Sequence, residues 1–168
     1  MDAETPTQHK FQEDSHMTYE EVFDFAYKGL VPVLQGLAKE LGEERFWEAL
    51  KKTAFDAKLK EAQDYASQLP SNDLDAYSAS AREPSRFARH ILTVEFIEDT
   101  PQAAEIKVTE CLWAKTFREL GAAEIGYMLT CGTDDAHCQG FNPRIRMIHS
   151  KTLMQGDEYC NHRFVWEE

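Results

Sequence analysis

Hydrophobic positions in the first part of the chain recur with the period of a helix. They fall at steps of three or four residues, at Phe23, Tyr27, Leu30, Leu34, Leu37 and Leu41. Such spacing predicts an amphipathic helix with one apolar stripe. Thr18 and Glu21 have the spacing of a capping box at its start, Pro32 predicts a kink, and Gly42 predicts its end.

Two further helices are expected before the pattern changes. The first runs from about residue 43 to 67, with one face formed by Phe46, Leu50, Ala54 and Ala57. The segment 69–72 ends this helix, and Asn72 caps a third that extends to about Arg82. Pro84 interrupts that helix before a short segment at 84–89. The first half of the chain is therefore expected to form a helical layer.

The second half begins with the period-two pattern of strands. Residues 92–97 alternate, residues 98–102 have turn chemistry, and residues 104–110 read as a returning strand. A short helix marked by Trp113, Phe117 and Leu120 and closed by Gly121 should follow. We then expect one continuous helix from about 122 to 138.

A loop over 139–143 and a second antiparallel hairpin complete the predicted fold. Its strands are expected at 144–153 and 159–166, joined across 155–158. This element order predicts an α+β fold in which N-terminal helices pack on a C-terminal antiparallel sheet, with a helix inserted between the hairpins. Residues 1–16 lack apolar periodicity and are expected to be a disordered tail, and 17–168 a single domain.

Composition narrows the classes of partner. The 18 basic and 30 acidic residues give a net charge of −12, which disfavours nucleic acid and anionic membrane surfaces. No apolar run approaches the length of a membrane span, and the acidic N-terminus does not resemble a signal peptide. We therefore expect a cytoplasmic protein whose four cysteines form no disulfide, and a homo-oligomer is compatible with the sequence.

Chemically versatile side chains concentrate between residues 111 and 162. On a continuous helix Cys131, Asp134, Asp135 and Cys138 share one face, which His137 borders; on the last strand Cys160 and His162 share a face with apolar side chains. We expect one pocket between these elements. Its candidate catalytic residues are Cys111, Cys131, Asp134, His137, Cys160 and His162.

Two thiols are alternative nucleophiles in this pocket. Cys131 could be activated by a histidine that Asp134 orients, and Cys111 lies where a strand should end, a common place for functional residues. A nucleophilic thiol would need a lowered pKa. No cofactor is required, although zinc would suit a subset of Cys131, Asp134, His137 and Cys160.

A series of motifs resembles the L-2-amino-thiazoline-4-carboxylate hydrolase family. They are Val108-Thr109-Glu110-Cys111, Ala123-Glu124-Ile125, Cys131-Gly132-Thr133-Asp134, Gly140-Phe141-Asn142-Pro143 and residues 151–164. The resemblance covers about residues 105–166. The ending Gly156-Asp157-Glu158-Tyr159-Cys160 is also similar to vinyl-reductase-type ligand-binding domains.

The resemblance implies hydrolytic opening of a small cyclic amidine that carries a carboxylate. Asn142, Arg144 and Arg146 are candidate substrate-binding residues, because an arginine can pair with a carboxylate through two hydrogen bonds. The alternation of Arg144 and Arg146 with apolar residues would equally be explained if both arginines lay on a solvent-exposed face of the sheet. The alternative function is a non-catalytic small-molecule-binding or sensor domain, with metal binding as a third possibility.

Overall fold

The computed structural model describes residues 16–167, so residues 1–15 of the predicted tail lie outside the described part. Seven helices are described: α1 (Tyr19–Leu41), α2 (Glu43–Ala66), α3 (Leu74–Arg82), α4 (Ala88–Ile91), α5 (Leu112–Glu119), α6 (Ala123–Leu129) and α7 (Asp134–Phe141). Four strands are described: β1 (Leu92–Asp99), β2 (Ala103–Cys111), β3 (Ile145–Ile148) and β4 (Cys160–Trp166). The α+β fold class is confirmed.

The strands form one antiparallel sheet in the order β1-β2-β4-β3. The two hairpins are joined through β2 and β4, which lie side by side at the centre. Val108 pairs with Cys160, Ile106 with His162, and Ala104 with Phe164. Alternate side chains of both central strands therefore project from the same face of the sheet.

The N-terminal helices begin and end close to the predicted positions. Thr18 and Glu21 form the capping box of α1, Pro32 lies inside that helix, and Gly42 ends it with a φ of 81°. This left-handed conformation is one that glycine adopts without a Cβ penalty. The predicted cap of α3 was wrong by one residue, because Asp73, not Asn72, accepts the hydrogen bond from Ala76 N–H, at 2.9 Å.

The predicted face of α2 is only partly buried. Phe46 is buried, Leu50 and Ala54 are half-buried, and Ala57 is exposed. Ala62, outside the predicted face, is fully buried. A Cβ at Gly140 would lie 2.3 Å from the Leu59 carbonyl oxygen, so α7 crosses α2 at a distance only glycine permits. The α2 residues at this crossing, Leu59 and Ala62, lie outside the predicted face.

The continuous helix predicted over 122–138 was wrong. The chain leaves helical geometry at Thr130, with φ −125° and ψ −86°, and forms a 3₁₀ turn over Cys131–Thr133 before α7. The Thr130 hydroxyl donates to the Gly126 carbonyl at 2.7 Å, and the Thr133 hydroxyl donates to the Thr130 carbonyl at 2.7 Å. Each of these carbonyls also accepts a backbone N–H, Gly126 from Thr130 at 3.0 Å and Thr130 from Thr133 at 2.9 Å, so the threonine hydroxyls add a second hydrogen bond at the point where the helix breaks. α7 also extends to Phe141, into the segment predicted as a loop.

The first strand of the second hairpin is shorter than the predicted 144–153. After Ile148 the chain turns away, because the Asn161 side-chain oxygen accepts from Ser150 N–H at 3.0 Å and Lys151 N–H at 2.7 Å. A 3₁₀ turn at Leu153–Gln155, capped by Thr152, precedes β4. These side-chain bonds replace the ladder that a longer strand would need.

Two apolar clusters form the core. One lies between the inner sheet face and helices α3 and α7, and the other surrounds Phe117 of α5, with Val31 of α1 and Ile125 of α6. No helix within residues 16–167 has the length and apolar character that crossing a bilayer requires.

Candidate functional site

A cavity of about 900 Å³ lies against the inner face of the sheet. Its floor is formed by β1, β2 and β4, and its walls by α3, the segment leading into α4, α5, and the turn between α6 and α7. Most lining side chains are apolar, among them Leu92, Val94, Ile106, Val108 and Phe164. An apolar pocket with a few polar groups is the usual form of a small-molecule site.

The structure brings six sequence-predicted residues to this cavity. They are Cys111, Cys131, Asp134, His137, Cys160 and His162. Although the predicted helix is broken, Cys131 and Asp134 stay together because the 3₁₀ turn continues directly into α7. Asp135 is exposed on the other side of α7, and buried Cys138 lies outside the lining.

Asp134 is the acidic group of the cavity wall. Burial raises the pKa of its carboxyl to about 7, with a smaller contribution from the neighbouring charge of Asp135, while the positive charge of Lys58 acts in the opposite direction. No hydrogen bond within residues 16–167 occupies its side chain. A carboxyl group that is half ionised near neutral pH can both accept and donate a proton.

The cavity thiols, unlike the Asp134 carboxyl, do not ionise near neutral pH. Burial, reinforced by the charge of Asp134, raises the pKa of Cys131 to about 11 and that of Cys160 to about 11. Burial also raises the pKa of Cys111, whose sulfur accepts the Ala114 N–H at 3.5 Å as the cap of α5. A nucleophilic Cys131 would need a lowered pKa, whereas burial shifts the pKa in the opposite direction, and these groups are neutral thiols at pH 7. All four cysteines of the chain are free.

His137 is tied to α3 through Tyr77. The Tyr77 hydroxyl lies 3.1 Å from His137 Nδ1 and 3.2 Å from the sulfur of Cys138. Burial lowers the pKa of His137, so its imidazole is neutral and its Nδ1 can accept a hydrogen bond from the Tyr77 hydroxyl. This chain of contacts fixes α7 against α3 and gives His137 a set orientation in the cavity wall.

His162 projects into the cavity from β4. Burial, together with the nearby His149, lowers its pKa to about 4, so the ring is uncharged at neutral pH. Its Nε2 atom is buried without a hydrogen-bond partner, as is Nδ1 of His149, whose ring centre lies 6.3 Å away. Buried polar atoms without partners are uncommon in folded proteins. His162 is thus a neutral group with free hydrogen-bonding capacity.

The three predicted substrate-binding residues lie away from the cavity. Ile145 and Met147 of β3 are buried, so Arg146 between them points outward and pairs with Glu167 at 2.5 Å. Arg144 stacks over the Trp166 ring at 4.7 Å and donates to the Glu167 carbonyl. Asn142 donates to the Asn72 carbonyl at 3.0 Å and accepts from Arg144 N–H. The two arginines thus hold Glu167, and Asn142 holds the segment before α3.

Other lining residues were missed by sequence reasoning. Tyr77 and the cations Lys58, Arg82 and Arg89 line the cavity. Arg82 is bound by Asp75 and Asp99, and Lys58 by Glu61, whereas Arg89 donates to the Pro84 carbonyl and forms no ion pair within residues 16–167. These residues lie in the helical half of the chain, whose sequence contains no motif that indicates a functional site.

The described residues provide no set of ligands for the zinc ion considered as an alternative. Between residues 16 and 167, no three side chains of His, Cys, Asp or Glu lie close enough together to hold a metal ion. Cys131 and Asp134 lie close together, but no third ligand among residues 16–167 completes a metal site with them.

The chain matches one family model and shares its fold with solved structures. The family model described as L-2-amino-thiazoline-4-carboxylic acid hydrolase matches residues 20–164. No curated protein shows a significant match. The fold is similar to the phenol-responsive sensory domain of the transcription activator PoxR bound to phenol, with TM-score 0.54 and 14% identity, over 82% of this chain and 73% of that one. It is also similar to trafficking protein particle complex subunit 3 from Naegleria fowleri covalently bound to palmitic acid, with TM-score 0.52 and 14% identity, over 89% of this chain and 95% of that one.

Proposed function

Because the chain belongs to the L-2-amino-thiazoline-4-carboxylic acid hydrolase family, we propose that it hydrolyses a small cyclic amidine that carries a carboxylate. The substrate would bind in the sheet cavity. The observation that carries this proposal is the position of Asp134, a carboxyl group in the wall of an apolar cavity with no hydrogen-bond partner in residues 16–167.

Asp134 would act on water. Its ionised form takes a proton from a water molecule as the oxygen adds to the ring carbon between nitrogen and sulfur. The addition gives a tetrahedral carbon bearing a hydroxyl group. The electron pair of the C=N bond moves to its nitrogen, which takes up the proton of the hydroxyl group. As the carbonyl forms, the bond from that carbon to the ring sulfur or the ring nitrogen breaks, and the protonated Asp134 returns its proton to the leaving atom. One water is consumed and a single ring-opened product results.

The raised pKa of Cys131 supports water over a thiolate as the nucleophile. With a pKa of about 11, only about one Cys131 in ten thousand would be ionised at pH 7. Neutral His162 would supply a hydrogen bond through its free Nε2, and the cavity thiols would form part of the apolar wall.

Arg89, in place of Arg144 and Arg146, would bind the substrate carboxylate. It lines the cavity at the exposed segment before β1, and no acidic side chain in residues 16–167 occupies it. A guanidinium group can bind a carboxylate through two parallel hydrogen bonds. Replacing Arg89 by Gln should therefore raise KM for the substrate far more than it lowers kcat.

The test is turnover of 2-aminothiazoline-4-carboxylate with detection of the ring-opened product. The wild-type protein and Cys131→Ala should hydrolyse the compound, whereas Asp134→Asn should lose at least about a hundredfold in kcat, the contribution typical of a general base. Asp135→Asn is the matched control, an exposed carboxylate one position along α7, and should remain active. Loss of activity in Cys131→Ala with activity retained in Asp134→Asn would refute the assignment.

A non-catalytic ligand-binding domain is the second candidate. The observation that favours it is the fold shared with a sensory domain that responds to phenol, together with the apolar lining of the cavity. A protein that binds 2-aminothiazoline-4-carboxylate in calorimetry but forms no product over prolonged incubation would support this function instead.

A further inference from the structure

The cavity is larger than the substrate class proposed for it. A five-membered ring with an amino group and a carboxylate occupies roughly 200 Å³ at the packing density of protein interiors. The cavity measures about 900 Å³. Most of the volume would therefore stay unfilled around such a molecule.

The unfilled part is long and apolar. The β2 floor runs from Ala104 through Ile106 and Val108 to Cys111, a distance of about 23 Å at the rise of a β-strand. Val94 of β1 and Ala81 of α3 continue the apolar wall. An apolar floor of this length offers an extended chain contacts that a compact ring cannot reach.

We propose that the ligand is an amphiphile: a small carboxylate-bearing head joined to an elongated apolar tail that lies along the β2 floor. This inference rests on the proposed function for the head, while the tail rests on the shape and lining of the cavity. Tail methylenes that leave water for this wall gain affinity by the hydrophobic effect, about twofold to fourfold for each methylene.

Saturated carboxylates from butanoate to dodecanoate are the probes for the tail. Calorimetric titration of the full chain should give an affinity that rises about twofold to fourfold per methylene along the series. Ala81→Trp, which fills the α3 wall one turn beyond Tyr77, should weaken dodecanoate binding at least about tenfold. Ala79→Trp is the matched control, because Ala79 is exposed on the same helix, and it should bind dodecanoate as the wild type does.

The outcomes separate the tail from the hydrolase. An affinity that does not change with chain length, or equal effects of the two tryptophan variants, would overturn the tail inference whatever the protein does to cyclic amidines. Chain-length-dependent binding without turnover of 2-aminothiazoline-4-carboxylate would uphold the tail and reject the proposed function. The wild-type series decides the matter even if Ala81→Trp does not fold.

A second inference comes from α1, which is apolar on two faces. Phe23 and Val31 are buried against the protein. A second apolar set is exposed, with Phe25 90% and Val33 58% accessible; the set is Val22, Phe25, Leu30, Val33, Leu37 and Leu41. A contiguous apolar patch that is exposed to solvent is typical of an interaction surface.

The exposed residues form one continuous surface, here called the outer α1 face. At 100° per residue they lie within about half of the helix circumference, with Gly29 and Gly36 among them. Asp24 and Lys28 pair with each other outside this face. Among residues 16–167, no atom lies within 4 Å of where a Cβ at either glycine would be, so another helix could approach the backbone closely there.

We infer that the outer α1 face binds the same face of a second copy of this chain. Its six side chains expose about 550 Å² of apolar surface, and surrounding atoms would bring the buried area near the roughly 800 Å² per partner of a stable interface. A two-fold axis makes one patch complementary to itself. Between Val22 and Leu37 this face carries no charge, so the net charge of −12 that makes copies repel is least felt there. Its one acidic residue, Glu40, lies at the C-terminal end of the helix beside Leu41.

Sedimentation equilibrium of the full chain tests this interface. The wild type should sediment at twice the 19.3 kDa of one chain, and Val33→Lys, in the middle of the face, as one chain. Gln35→Lys is the matched control, since it places the same charge at an exposed position on another side of α1, and it should remain a dimer. A monomeric wild type, a dimeric Val33→Lys or a monomeric Gln35→Lys would each overturn the inference.

Discussion

Replacing Asp134 by Asn should stabilise the protein, and the gain should grow as the pH rises. In the unfolded chain this carboxyl ionises near 3.8, whereas in the folded cavity burial holds the proton up to a pKa of about 7. Between these values the folded state binds more protons than the unfolded state. Stability must therefore fall with rising pH across this range and stay level above it.

The magnitude follows from the size of the pKa shift. Raising a carboxyl pKa from 3.8 to about 7 costs about 4 kcal/mol of folding free energy above pH 7, at 1.36 kcal/mol per pKa unit. Between pH 5 and pH 8 the cost of Asp134 grows by about 3 kcal/mol. An asparagine of nearly the same shape does not titrate and escapes this cost. The cavity thus keeps a destabilising acid, as functional sites often do.

Urea unfolding at pH 5 and pH 8 measures the effect. The gain of Asp134→Asn over wild type should be larger at pH 8 by about 3 kcal/mol, and comparing the two pH values cancels any constant cost of the amide. Asp135→Asn should give a smaller gain of the same sign, because the Asp135 charge is the second cause of the shift. A gain of Asp134→Asn that is equal at both pH values would refute the reasoning.

Three further predictions test other parts of the account. His162→Phe should stabilise the protein at pH 4.5 but not at pH 8. The pKa of His162 is about 4 in the folded protein and 6.5 in the unfolded chain, so between these values the unfolded chain binds more protons and the histidine destabilises the fold. Equal shifts of the melting temperature at both pH values would contradict this. At pH 8, Cys131 and Cys138 should react with iodoacetamide much more slowly in the native protein than in the urea-unfolded chain, because their pKa values in the folded protein are about 11 and 12. Peptide mass spectrometry measures the extent of reaction at each cysteine. Gly140→Ala should destabilise the fold by at least about 2 kcal/mol in urea unfolding, since its Cβ would lie 2.3 Å from the Leu59 carbonyl oxygen, and wild-type stability would disprove the tight α2–α7 crossing.

Local patterns predicted much of the fold. The capping box at Thr18, the end of α1 at Gly42 and the pairing of β1 with β2 all depend on neighbouring residues and periodicity, which a single sequence displays. The break at Thr130 was not predictable in this way. Whether a threonine hydroxyl bonds a backbone carbonyl within a helix depends on what packs around that turn.

The candidate site was predictable on one side only. Side-chain alternation on β4 placed Cys160 and His162 on an inward face, and both line the cavity. The opposite wall, with Tyr77 and Arg89, comes from helices whose sequences show no chemical pattern, and only tertiary packing brings them near Asp134. The electrostatic effect of burial was also missed, since it raises the pKa of Cys131, where sequence reasoning needed it lowered.

The pH dependence of hydrolysis tests the central claim that Asp134 activates water in this cavity. With 2-aminothiazoline-4-carboxylate as substrate, kcat/KM should rise with pH through an apparent pKa near 7, the value of the Asp134 carboxyl in the free protein, and the same profile should appear in Cys131→Ala. A rate that keeps rising towards pH 11 and is abolished in Cys131→Ala would contradict the account and identify a thiolate nucleophile.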